Sequence, residues 1–167
     1  MSTQIGENPN IEEGAKIEPP VKIGDDVFIG YYTIIRPHTT LCNRVEVRCH
    51  CYVAENVFIG SLTKVFQFSN ISKGSIIESC VYIGPNVTFT NTNRISCFRD
   101  FSPKLEGAHV KKGARIAASV TLVPGVVIGR NALIGAGSVV TKDVPDNCIY
   151  YGNPAVFRGY VPEDERI

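Results

Sequence analysis

An aliphatic side chain recurs at every sixth position of this chain over most of its length. From Ile5 the series runs Ile11, Ile17, Ile23, Ile29, Ile35, Leu41, Val47, Val53, Ile59, Val65, Ile71, Ile77 and Ile83. It reaches Phe89, fails, and resumes in a new phase at Val110, Ile116, Leu122, Ile128, Ile134 and Val140. Ile, Leu and Val make up 42 of the 167 residues, so this unbroken agreement lies far outside chance. The fourth residue after each anchor is small or β-branched at nearly every repeat, as at Thr33, Cys51, Val57, Ser75, Ala114 and Val120. Glycine often follows the anchor directly (Gly6, Gly24, Gly30, Gly60, Gly84, Gly129, Gly135), where its freedom at positive φ suits a backbone turning a corner.

A period of six fits neither a helix nor a simple alternating strand, so amphipathic helices and ordinary hairpins both fail. It fits a short β segment and a corner, repeated, with three hexapeptides closing a triangular coil and each coil packing mainly on its neighbours. The prediction is an all-β parallel solenoid of about seven coils in one domain, residues 1–145. An excursion at 90–109 interrupts it, and residues 146–167 cap the last coil. The excursion sequence is polar and charged and contains Pro103 and Gly107, as a protruding loop should. Long loops in compact domains are commonly functional.

Seventeen basic and sixteen acidic residues leave a formal charge of +1, so no global field draws in nucleic acid or an anionic membrane. An anionic ligand has to be held locally. The first residues lack the basic and apolar regions of a signal peptide, and no apolar run is long enough to span a membrane, which reads as a cytoplasmic protein. The six cysteines form no CxxC pair, and Cys51 falls on a small-residue core position, so they read as reduced thiols and not as metal ligands.

The repeat, the excursion and the final stretch GARIAASVTLVPGVVIGRNALIGAGSVVTKDVPDNCIYYGNPA together resemble the left-handed β-helix acyltransferases, in that family's order and over nearly the whole chain. The left hand of the helix comes from this resemblance. The segment Lys73 to Asn91 (KGSIIESCVYIGPNVTFTN) is similar to the enzymes that N-acetylate nucleotide-linked amino sugars for surface polysaccharides such as lipopolysaccharide O-antigen. The resemblance implies a left-handed parallel β-helix, a homotrimer with active sites between subunits, acetyl-CoA as co-substrate and a UDP- or dTDP-linked amino-deoxy sugar as acceptor. The near-neutral charge, the hydropathy and the absent ligand spacing point to no nucleic-acid or membrane partner and no metal.

Candidate residues follow partly from the resemblance and partly from the chemistry of the residues themselves. Asn91 matches the asparagine of the FTN motif, where its amide oxygen would accept a hydrogen bond from the substrate amine and aim the nitrogen lone pair. His109 ends the excursion at a position where the subgroup usually carries no histidine, and is the alternative general base because histidine titrates near neutral pH. Lys73 and Glu78 match substrate-binding positions, and Arg94, ahead of Arg99, is the guanidinium best placed by sequence to meet a diphosphate. Ala117, Ala118, Gly135 and Ala136 would let the pantetheine arm approach the backbone, and Thr141 and Lys142 match positions near the adenine nucleotide. The subgroup often carries glycine where this chain has Ala117. His38 and His50 read as surface residues. Three other readings share the solenoid: sugar O-acetylation with His109 as base, a γ-carbonic-anhydrase-like zinc enzyme using the three histidines, and a non-catalytic scaffold.

Overall fold

The computed structural model describes residues 2–167. Each aliphatic anchor ends a two-residue strand, and the strands stack into three parallel sheets. The first sheet holds Gln4–Ile5, Lys22–Ile23, Thr40–Leu41, Phe58–Ile59, Ile76–Ile77, His109–Val110 and Val127–Ile128. The second runs from Asn10–Ile11 to Leu133–Ile134 and the third from Lys16–Ile17 to Val139–Val140. Successive strands of a sheet pair 18 residues apart, as Tyr52 with Asn70, so three hexads make one triangular coil. The result is an all-β solenoid of about seven coils, as the period predicts.

Anchors from Ile29 to Ile134 are completely or almost completely buried and fill the axis of the triangle. Ile5 and Ile11 are exposed, since they lie in the end coil and among the described residues only the next coil, not a preceding one, stacks on them. The small fourth-position residues pack inside the corners, and their hydroxyls bind neighbouring coils. Thr63 Oγ1 donates to the Glu78 carbonyl at 2.8 Å and accepts from the Val81 amide at 3.2 Å. Ser69 Oγ repeats the pattern with the Gly84 carbonyl and the Val87 amide. A buried hydroxyl paired in both directions costs little, whereas an unpaired one would be expensive.

One expectation is corrected. The glycines directly after the anchors do not adopt positive φ. The left-handed position comes two residues later, at Asn8, Asp26, Asn56, Asn86 and Asn131, at Gly14, Gly74, Gly113, Gly125 and Gly137, and at the bulkier Tyr32, His38, His50, Leu62 and Phe68. The glycines after the anchors serve close approach. A Cβ on Gly60 would lie 2.6 Å from the Ser79 amide nitrogen, and one on Gly84 would lie 2.8 Å from the Ala117 carbonyl carbon.

After the last hexads the chain changes habit. Cys148–Gly152 joins the second sheet beside Leu133–Ile134, then pairs antiparallel with Ala155–Tyr160. Val144, Cys148 and Val161 are buried over the final coil, and the short 3-10 turn Glu163–Glu165 follows.

Candidate active site

The solenoid is regular except where Phe89 is followed by an anchor 21 residues later in place of six. The inserted chain leaves from the end of a third-sheet strand, Thr88–Phe89, and returns at the head of a first-sheet strand, His109–Val110. Its neck is closed by an antiparallel bridge between Thr92 and Leu105 and by the Glu106 amide donating to the Asn91 carbonyl at 2.8 Å. Asn91 and Glu106 therefore share one corner, and His109 lies three residues beyond it. Within the excursion the Arg94 guanidinium sits 4.0 Å from the Phe101 ring centroid, and Arg99 Nη1 donates to the Cys97 carbonyl at 3.0 Å. Both arginines are engaged with the loop itself.

The residues singled out from sequence fall into three groups. In the first, Asn91 stacks on Lys73, one coil earlier. Asn91 Nδ2 approaches the Lys73 carbonyl at 3.5 Å and its Oδ1 accepts from Thr92 Oγ1 at 3.3 Å. Both border a groove of about 710 Å³ over the outer face of the third sheet, lined also by Tyr52, Glu55, Asn70 and Thr88 and overhung by Ile95 of the excursion. That volume lies within the usual range of small-molecule sites.

The second group is a hydrogen-bonded pair on the first sheet. His109 pairs in register with Ile76, which brings its ring beside Glu78, so that Nε2 lies 2.9 Å from Glu78 Oε1. Glu78 Oε2 accepts from the Lys112 amide at 2.9 Å. Burial alone would raise the Glu78 carboxyl, but the Lys112 amide, the His109 hydrogen bond and the charges of His109 and Lys111 outweigh it and hold the group below its ordinary value. Glu78 is thus a carboxylate at neutral pH. A carboxylate on Nε2 fixes the proton there in the neutral ring and leaves Nδ1 as the basic nitrogen.

The third group lies in the last coils. Ala117, Ala118, Gly135 and Ala136 occupy the corner between the second and third sheets, and Thr141 and Lys142 are exposed at the next corner. The Ala117 and Gly135 amides donate to the Ile134 and Tyr150 carbonyls. A Cβ on Gly135 would meet Tyr151 at 2.7 Å, whereas one on Gly137 would meet nothing within 4 Å. Ala136 and Gly137 are exposed along this corner, and Tyr151 covers the Gly135 side.

The sequence reading missed that Glu78 is the partner of His109 and that Tyr52 and Asn70 line the groove. Both were readable. Aligning the two phases of the repeat across the break puts Val110 opposite Ile77 and so His109 next to Ile76 and Glu78. Stepping by 18 from Thr88 gives Asn70 and Tyr52. His38 and His50 are exposed at two different corners, and no group of three His, Cys, Asp or Glu side chains among the described residues could hold a metal ion.

The bacterial transferase hexapeptide family (six repeats) matches residues 2–37 and 107–142. The dTDP-3-amino-3,6-dideoxy-alpha-D-galactopyranose 3-N-acetyltransferase of Aneurinibacillus thermoaerophilus is 58% identical over 52 residues, 31% of this chain and 27% of that protein. The bifunctional protein GlmU of Heliobacterium modesticaldum is 34% identical over 147 residues, 86% of this chain and 29% of that protein. The chain thus spans less than a third of the length of either relative. Among solved structures, AntD, an N-acyltransferase from Bacillus cereus in complex with dTDP and 3-hydroxybutyryl-CoA, superposes with a TM-score of 0.60 at 20% identity, over 96% of this chain and 84% of that one. The repeat that the family model matches over those two stretches is the repeat that builds the three sheets, and the chain has the left-handed parallel β-helix fold.

Proposed function

We propose that this chain is an acetyl-CoA-dependent N-acetyltransferase that acetylates the amino group of a UDP- or dTDP-linked amino-deoxy sugar, acting as a homotrimer. The observation that carries the reading is the His109–Glu78 pair at the return of the excursion, with Asn91 at its root. The similarity to a dTDP-amino-sugar 3-N-acetyltransferase supports the substrate class.

In the proposed reaction the neutral amine attacks the thioester carbonyl of acetyl-CoA, giving a tetrahedral oxyanion. Asn91 Oδ1 orients the amine by accepting one of its hydrogens. His109 Nδ1 takes the proton that the nitrogen must lose, and the Glu78 carboxylate stabilises the imidazolium that forms. Collapse of the oxyanion expels the thiolate, which receives the proton from His109. Exposed Thr141 and Lys142 would meet the nucleotide end of the donor, and the ammonium of Lys142 would neutralise phosphate. Sequence alone gives Asn91 the leading role. The carboxylate behind His109 moves our assignment of the base to the histidine.

The same pair favours a second reading, O-acetylation, because a hydroxyl depends on a base more than an amine does. Incubation with acetyl-CoA and a panel of nucleotide-linked 3-amino and 4-amino sugars, beside their hydroxyl counterparts, separates the two by release of free thiol. Turnover of the amino sugars alone is expected; turnover of the hydroxyl acceptors alone sinks the proposal.

A further inference from the structure

The outer face of the third sheet carries a row of side chains in register: Tyr52, Asn70, Thr88, Thr121 and Val139. Tyr52 is its one aromatic member and is exposed at 39%. Its ring is stacked on no other ring among the described residues, whereas Tyr32, His50 and Phe68, at the adjoining corner, already stack on one another at 5.4 and 5.2 Å. Only the middle ring of that ladder, His50, has both faces covered, and none of the three lines the groove, whereas Tyr52 does and has no ring against it.

The charges along the groove are also ordered. Arg36 bridges Glu18 and Glu55, its Nη2 lying 3.1 Å from Glu55 Oε1. The amide of Glu55 itself, the Arg36 hydrogen bond and, further down, the charge of Lys73 hold the Glu55 carboxyl below its ordinary value. With Glu55 engaged by Arg36, Lys73 has no carboxylate within ion-pair distance among the described residues. It stands one hexad corner from Asn70 and directly beneath Asn91. From Tyr52 to the Thr88 row is two strand spacings, roughly 10 Å. An aromatic platform, an uncommitted cation and the amine-orienting residue therefore follow one another along a single groove.

That order matches base, diphosphate and sugar. We propose that the groove over the third sheet is the nucleoside-diphosphate half of the acceptor site, with Tyr52 the platform on which the base stacks and Lys73 the cation that meets the diphosphate. The inference rests on the acceptor class proposed above and adds its direction: the nucleotide lies toward the earlier coils and the reacting sugar toward the excursion. Asn70, exposed between the two, offers an amide to the base edge or the ribose.

Calorimetric titration of the intact chain with UDP, dTDP and inorganic pyrophosphate, without any acetyl donor, tests this. At least one of the two nucleotides should bind. Tyr52→Ala should weaken that nucleotide roughly tenfold or more while leaving pyrophosphate and CoA unchanged, and Tyr52→Phe should restore it. Lys73→Ala should weaken nucleotide and pyrophosphate alike. A Tyr52→Ala protein that binds the nucleotide as the wild type does, or a wild type that binds neither nucleotide, overturns the inference. If nucleotide binding behaves as expected and no amino sugar is acetylated, the proposed reaction fails and this site stands. If amino sugars are turned over and Tyr52→Ala leaves their KM unchanged, this site alone fails.

Discussion

Glu78 and His109 stand 31 residues apart in sequence and 2.9 Å apart in space, and each has a measurable consequence. His109→Ala should lower kcat by about 10²- to 10⁴-fold, the usual contribution of a positioned base, with Asn91→Ala costing less. The reverse order in steady-state kinetics would return the leading role to Asn91. Because the Glu78 carboxyl is held below its ordinary value, its contribution to stability is present above the unfolded value near pH 4.5 and is lost as the pH falls through the folded value. The pair is about 40% exposed, which limits that contribution to under about 1 kcal/mol. Glu78→Gln should accordingly melt a few degrees lower at pH 7, and the two melting curves should converge below about pH 4.5. A gap that persists at pH 3 would assign the loss to packing. Cys51 behaves differently, since burial pushes its thiol up to about 11. Alkylation at pH 8 followed by mass mapping should label exposed Cys97 in the native protein and reach Cys51 only after unfolding.

At the scale of a single coil, the repeat was legible because two of its six positions face inward and tolerate only apolar or small side chains. Their periodicity survives with no knowledge of the other four. The location of the excursion was legible for the same reason, as the one place where the inward pattern breaks. What the pattern could not reveal is why glycine follows the anchor, because that depends on the backbone of the next coil and not on the glycine's own φ. The distinction makes opposite predictions for two neighbouring positions. Gly60→Ala pushes a Cβ against the Ser79 amide and should destabilise by about 1–3 kcal/mol. Leu62→Asn, two residues on, replaces an exposed leucine at φ 64° with a residue that accepts that conformation and should raise the melting temperature. Thermal denaturation of both variants decides it; a neutral Gly60→Ala would contradict the close-approach explanation.

For the molecule as a whole, a straight triangular prism offers flat faces, and flat faces make poor active sites unless something is set against them. The outward row of the first sheet reads Phe58, Ile76, His109 and Val127, with Phe58 and Ile76 about 40–45% exposed. Apolar side chains beside the proposed base are what a subunit boundary would cover, and a rotational assembly of three copies would bury this row without leaving an open end. The sequence could not place this row, since Phe58 and Ile76 occupy positions where Lys22 and Thr40 are equally acceptable to the fold. Light scattering after size exclusion should give about three times the 18.3 kDa chain mass for the wild type. Ile76→Glu should retain the coil spectrum by circular dichroism, elute as a monomer and lose acetyl transfer. A monomeric wild type with full turnover would sink the trimer and require the groove and the His109–Glu78 pair of one chain to act without a neighbour.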